Sequence, residues 1–408
     1  MKKGNFGRFL LLWFGELISS IGGGLTSFGL GVYIFEKTGS ASAMALVTLL
    51  GFLPTLVLSV PAGVLADRHD RRLLMIIGDG LSAVGVFFIL MCMLNGGAEL
   101  WQICVGVTIS ASFSALLEPS YKATISDLLT KEQFSKASGL VSLAGSARYL
   151  FSPIIAGILL AVSGIKVILI IDICTFFLTI ATITVVRRSI HKKAAQTAEG
   201  FWKSMKSGWK AIRRKKGVLA LAIISSVITL FMGVLQVLVE PLVLSFADSK
   251  TLGIAETVCA CGMLASGIVL GVRGIKRGYV RTLSVSLALA GVFMAALGLF
   301  MNIVPIVIFG FLFFATLPFA NNALDYLVRT NIADNMQGRA WGLIGFISQS
   351  GYVVAYAISG VLADLLGSAN GGVGQGAAIA IRVAGVLLFL AALAIPVRKS
   401  VRKLEKVA

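Results

Sequence analysis

Twelve apolar runs, each long enough to cross a bilayer as a helix, leave this chain the least choice of fold. They fall at roughly 8–35, 42–66, 73–94, 99–121, 138–162, 165–187, 217–246, 251–272, 282–301, 303–328, 339–365 and 377–397. About 20 apolar residues in a helix span roughly 30 Å of hydrocarbon. Lipid offers the backbone no hydrogen-bond partner, so each run must close its own bonds as a helix. With 57% hydrophobic and only 13% charged residues, and a mean hydropathy of +0.93, the chain must be solvated by lipid. Soluble domains carry about 25% charged residues. The expected fold class is an all-α integral membrane protein of twelve transmembrane helices, retaining the first run, which holds Glu16, as a helix rather than a cleaved leader.

Charge sets the orientation. The formal net charge is +18, which in a soluble protein would suggest nucleic acid. Here the basic residues cluster in short loops, and no nucleic-acid motif accompanies them. With the N-terminus inside, only Lys37, Lys166 and Lys250 fall outside and only Arg148 and Arg382 within spans; the other basic residues lie on the inner side. The positive-inside rule therefore places both termini in the cytoplasm of a bacterial cell (inner) membrane protein. An enzyme of the membrane would need a cluster such as His with paired carboxylates, yet the two histidines, His69 and His191, sit in loops. No G-x-x-x-x-G-K-[ST] phosphate loop occurs, which disfavours an ATP-driven pump. The five cysteines lie in apolar segments and read as small buried hydrophobes. No metal and no cofactor is expected.

The chain divides at its longest polar break. Residues 1–187 form one six-helix bundle and 217–397 a second, joined by a linker over 188–216 and followed by a basic tail over 398–408. In the linker, Phe201, Met205, Trp209 and Ile212 make one apolar stripe with Lys203, Lys206, Lys210 and Arg213 on other faces, so a basic amphipathic helix on the inner leaflet is predicted. The halves look like pseudo-repeats. Gly139 and Gly157 stand 18 apart, as do Gly342 and Gly360; Glu118 and Lys122 stand four apart, as do Asp325 and Arg329; Asp127 and Asp334 follow. Duplicated halves with a site between them are a transporter's architecture.

Between the second and third runs lies Gly63-Val-Leu-Ala-Asp67-Arg68-His69-Asp70-Arg71-Arg72. It resembles the loop signature of the major facilitator superfamily, G-x-L-a-D-R-x-x-R-R. Gly63 would let two helices approach, Asp67 would accept from a facing helix N-terminus, and Arg68, Arg71 and Arg72 would pair with acids across the interface between halves. Over residues 8–160, Glu36 to Ser40, Leu53-Pro54, Pro61 to Gly63, Asp70, Glu118-Pro119, Ser126-Asp127 and Ser152-Pro153 resemble the drug-efflux branch that holds macrolide exporters and the enterobactin exporter. The counterpart Gly271-Val-Arg273-Gly-Ile-Lys276-Arg277 lacks the acid. The fourth helix has no central Arg, and Ser152-Pro153 replaces a Gly-Pro-rich motif, so proton coupling is implied by the resemblance alone.

The resemblance also implies that helices one, four, seven and ten line the cavity, and each carries an acid: Glu16, Glu118, Glu240 and Asp325. Glu16 lies about eight residues in, or roughly 12 Å at about 1.5 Å per residue. With Ser19, Ser20, Gly23 and Ser27 it makes a polar stripe, so it is the candidate proton carrier. Glu118 with Lys122 and Asp325 with Arg329 read as gate pairs, and Glu240 as a gate acid or an exposed one. Arg148 needs a partner, with Glu118 and Glu16 as candidates. Asp79, near the loop signature, reads as orienting its arginines. Asp172 and Arg382, on peripheral helices, read as structural.

The expected function is a secondary transporter, working as a monomer, that exports a hydrophobic or amphipathic, macrolide-like compound by proton antiport with alternating access. The alternative is a transporter of the same fold for a specific metabolite or siderophore, which would allow import.

Overall fold

The computed structural model describes residues 5–187, 209, 216–275, 277–332 and 337–405. Apart from Trp209, the linker over 188–215, with its expected amphipathic helix, lies outside the described residues. So do Lys276, Asp334 and the end of the tail.

The helices are α1 (Phe6–Thr38), α2 (Ala41–Arg68), α3 (Arg71–Leu94), α4 (Leu100–Ser114), α5 (Leu117–Leu128), α6 (Lys131–Ser163) and α7 (Ile165–Arg187). After the linker come α8 (Lys216–Leu244), α9 (Ser249–Arg273), α10 (Tyr279–Leu297), α11 (Ile303–Arg329), α12 (Gln337–Asn370), α13 (Val373–Ala394) and the short α14 (Lys399–Glu405). No strand occurs among the described residues. Twelve candidate membrane spans result, α4 and α5 counting together as Leu100–Leu128. Apolar side chains cover their outward faces, with Val162 and Val272 at 80% and 83% exposure, surface that only lipid can solvate.

The fourth span is interrupted, where the apolar run predicts one helix. α4 ends at Ser114 with Ala115 as its C-cap, Leu116 bonds back to Phe113, and α5 begins at Leu117. The cause is Pro119, whose ring clashes with the carbonyl four residues back, that of Ala115, and which lacks the N–H to bond it.

Two compact units emerge: Met1–Lys37 with Leu46–Ala198, and Thr38–Ala45 with Glu199–Ala408. In the first, α1 and α7 meet along a seam with a seven-residue step. Gly15, Gly22 and Gly29 face Thr182, Thr175 and Ile168 in turn, and a Cβ on Gly22 would lie 2.8 Å from Asp172 Oδ1. Without a hydrophobic drive between helices in lipid, such close backbone approach supplies the packing. Ser152 Oγ of α6 donates to Ile21 O of α1 at 3.0 Å, and Trp13 Nε1 to Leu140 O at 2.6 Å. At the end bearing the 69–70 loop, Phe9, Leu12, Met75, Tyr121, Ile125, Ile183 and Val186 close the core.

In the second unit, α8 packs on α12. Gly233 meets Tyr352 and Ala355, Ser225 Oγ donates to Ser348 Oγ at 2.7 Å, and Tyr356 OH donates to Gln236 Oε1 at 2.7 Å. Gly291 of α10 and Gly385 of α13 face each other backbone to backbone. The start of α2 belongs to this unit because Asp364 of α12 caps it. Its carboxylate accepts from Ser40 Oγ at 2.7 Å, Ala41 N at 2.8 Å and Ser42 N at 2.9 Å.

Candidate functional site

The seam that fixes α1 also fixes Glu16. Gly15 O accepts from Thr179 Oγ1 at 3.3 Å, and the next residue, Glu16, is half-buried. It lies one turn beyond Leu12, just as Asp79 on α3 lies one turn beyond Met75, and both Leu12 and Met75 belong to the core layer that holds Tyr121. Asp79, at 1% exposure, is within electrostatic reach of Glu16 and Asp172. Glu16 in turn feels Glu118. On the same face of α1 the space beside Gly23 is open, with no atom of the described residues within 4 Å of a Cβ there, and Ser27 is exposed.

Asp172 is buried at 1% and well supplied with donors. Thr26 Oγ1 donates to it at 2.6 Å and Thr175 Oγ1 at 3.4 Å, and Arg148 is its charged neighbour. Arg148 therefore lies within electrostatic reach of Asp172, an acid the sequence does not offer as its partner. The reason is the seam: it lays α7 against the same stretch of α1 on whose Gly24 the Arg148 stem rests. Glu118 and Lys122 do pair, at 2.5 Å, with side chains 75% and 66% exposed. An exposed pair of this spacing contributes about 0.3–0.5 kcal/mol.

The loop signature forms a network inside the first unit. Asp70 caps α3, accepting from Arg72 N at 3.1 Å, and its other oxygen accepts from Arg187 Nε at 2.9 Å. Arg71 Nη1 donates to Asp127 Oδ2 at 2.9 Å and to Ala123 O at 3.1 Å, while its Nε donates to Ala66 O at 3.2 Å. Asp67 is more distant, 3.9 Å from Arg71. Arg72 is buried within reach of Asp70, Asp127, Arg71 and Arg187. Arg68 and Asp67 are exposed.

Around the loop signature, three expectations change. Arg71 meets its acid within its own unit, because α5 brings Asp127 to the start of α3. Gly63 has no atom of the described residues within 4 Å of a Cβ, so no close helix approach occurs there among them. Asp79 has no hydrogen-bond partner on either oxygen among the described residues, so it does not orient the arginines; Asp70 and Asp127 do.

In the second unit, Glu240 of α8 is half-buried, and its Oε2 is buried without a hydrogen-bond partner among the described residues. It lies within electrostatic reach of Glu256 on α9. Glu256 is not among the residues the motif pattern singles out, although an acid at the sixth position of the apolar run 251–272 is itself the signal. Asp364, similarly placed near the end of its run, is another. Asp325 and Arg329 are both exposed, and among the described residues no ion pair joins the two; Arg329 lies over the Trp341 ring, 5.5 Å from its centroid.

The sequence profile described as Major Facilitator Superfamily matches residues 12–355. Macrolide efflux protein A of Streptococcus pyogenes is 25% identical over 407 residues, covering 98% of this chain and 97% of that protein. Multidrug efflux pump Tap of Mycobacterium tuberculosis (strain ATCC 25618 / H37Rv) is 22% identical over 385 residues, 90% of each. Among solved structures, a bacterial homologue of the iron transporter ferroportin in an inward-facing state superposes with a TM-score of 0.74 at 15% identity, covering 96% of this chain and 99% of that one, a likeness of fold.

Proposed function

The chain belongs to the Major Facilitator Superfamily, and from that premise we propose that it exports a hydrophobic or amphipathic, macrolide-like compound by proton antiport. It is a multi-pass membrane transporter and not an enzyme. The observation that carries the export reading is the near full-length likeness to macrolide efflux protein A. Glu16 supports the proton reading: it is a half-buried acid on a helix face with open space beside Gly23. Intramembrane acids of this kind are costly and tend to serve transport.

In this reading Glu16 exchanges its proton as the compound passes, the two halves working by alternating access. The loop signature stiffens one end of the first unit through Asp70–Arg187 and Arg71–Asp127. Glu118–Lys122, Asp325, Arg329 and Glu240 serve as charges near the ends of the pathway. The protein sits in the bacterial inner membrane as a monomer with both termini in the cytoplasm.

The test is accumulation of labelled macrolides and dyes in an efflux-deficient bacterium expressing equal amounts of wild type, Glu16→Gln or Asp67→Asn protein. Wild-type cells accumulate less, and an uncoupler or Glu16→Gln removes the difference. If no compound in a broad panel is excluded, the export reading fails. If Glu16→Gln still responds fully to the proton gradient, the coupling role fails.

A further inference from the structure

Asp79 is a titratable group that the loop network leaves unused. α3 and α5 run antiparallel and in step: Thr124 Oγ1 donates to Met75 Sδ at 3.9 Å, and a Cβ on Gly78 would meet Leu117 at 3.0 Å. One turn on, Ser82 Oγ lies 2.8 Å from Ser114 Oγ of α4. Met75, Gly78, Asp79 and Ser82 share one face of α3, so Asp79 points into the layer where α5 presents Ser120 and Tyr121. Both Asp79 oxygens, the Ser120 hydroxyl at 0% exposure and the Tyr121 hydroxyl at 5% are buried with no hydrogen-bond partner among the described residues.

The charged surroundings are of one sign. Glu16 faces this layer from α1 and Asp172 from α7; Tyr121 and, beyond it, Glu118 come from α5. Arg148 of α6 lies within electrostatic reach of Asp172, and Arg72, two turns back on α3, within reach of Asp70 and Asp127. A carboxylate with neither donor nor counter-ion in such a place is neutralised rather than kept charged. Asp172, with Thr26, Thr175 and Arg148, has what Asp79 lacks.

We infer that Asp79 and Glu16 form a single proton-binding site, Asp79 storing the proton at the sealed end and Glu16 exchanging it at the open end. The inference rests on the proton-antiport reading of Glu16. In the step between them, an O–H bond at Asp79 breaks as one forms on the ionised Glu16 carboxylate, and the negative charge passes the other way. The Tyr121 hydroxyl, buried in the same layer without a hydrogen-bond partner among the described residues, lies within electrostatic reach of Glu16. No other reactant is consumed.

The test uses the full chain in proteoliposomes with radiolabelled erythromycin as the probe. Uptake driven by an imposed pH gradient is compared with gradient-free erythromycin exchange, for wild type, Glu16→Gln and the isosteric Asp79→Asn. Gradient-driven uptake by Asp79→Asn should fall about tenfold or more, as for a lost proton-transfer group, while exchange stays near wild type. If Asp79→Asn keeps gradient-driven uptake while Glu16→Gln loses it, the pair is refuted and the Glu16 reading survives. If Glu16→Gln keeps it, both fall. A second measurement needs neither a transported probe nor a folded variant. Infrared spectra of wild-type protein with carboxyl-labelled aspartate should show a protonated aspartyl band at neutral pH. Its absence overturns the inference.

Discussion

The loops that follow the second and eighth spans occupy equivalent places in the two halves, and they are built from opposite materials. The 69–70 loop is held by charge: Asp70 caps α3 and takes Arg187, and Arg71 takes Asp127. The 274–278 loop is held by backbone freedom and aromatic area. α9 stops at Gly274 with φ +61°, and α10 starts at Gly278 with φ +77° and no side-chain cap. Tyr279 stacks on Tyr326, centroids 3.7 Å apart and planes 6° from parallel, and its hydroxyl donates to Ile275 O at 2.7 Å. The likeness of two halves in fold therefore does not extend to what closes their ends. A charged closure answers to salt and to its acids; a stacked one does not.

That contrast can be broken most sharply at Arg71. Arg71→Ala removes an ion pair and two carbonyl bonds and takes from Asp127, only 15% exposed in its side chain, its 2.9 Å cation contact, with Arg72 still within electrostatic reach. The expected cost is about 2–3 kcal/mol, read as a lower melting temperature in detergent; an unchanged melting temperature would mean that charge does not hold this loop. Tyr326→Ala should cost less, about 1–1.5 kcal/mol including the stacked pair, and the loss should be the same at low and high salt. A salt-dependent loss would erase the distinction between the loops. Gly278→Ala should cost about 1–2 kcal/mol through its left-handed backbone, with no effect of pH.

The smallest effect is expected at Asp248, which caps the other end of α9 and so serves as an acidic control in the glycine-built half. Its carboxylate accepts from Thr251 N at 2.8 Å, and the hydrogen bonds from Thr251, side chain first and then backbone, hold its pKa below the usual aspartate value. A folded-state pKa below the unfolded one gives stability that is present above the unfolded value, about 3.9, and is lost as pH falls through the folded one. Asp248→Ala should cost at most about 1 kcal/mol at neutral pH. The gap from wild type in melting temperature should close under acid, and a gap that persists at the lowest pH would contradict the capping account.

The helices were legible in the sequence because lipid allows the backbone one solution, so twelve apolar runs could only be twelve spans. The α4–α5 break was not, although Pro119 marks it: a run of apolar residues reads as continuous unless the carbonyl four residues back is considered. Paired charges were legible where spacing alone brings them together, as in Glu118 and Lys122. They were not where a third helix decides. Asp127 and Arg71 are 56 positions apart, and Asp172 meets Thr26 across 146. Arg329 shows the converse, since spacing pairs it with Asp325 but its guanidinium lies over Trp341. Glu256 and Asp79 hide for another reason. An acid in a span announces a cost, yet only the surrounding atoms tell whether that cost is met, as it is for Asp172, or left open, as it is for Asp79.

Gly15 and Glu16 are neighbours in the chain, and that adjacency ties chemistry to clearance. A methyl added at Gly15 would collide with the Thr182 hydroxyl, so either that side chain or the helix must give. Where the helix gives, the first turns of α1 tilt and the adjoining carboxyl moves with them. Sensitivity of this kind is steric in origin and electrical in outcome. On the proton-antiport reading, substitutions that leave every charge in place, along the glycine seam at 15, 22 and 29, would thus weaken coupling without appearing in any inventory of polar residues.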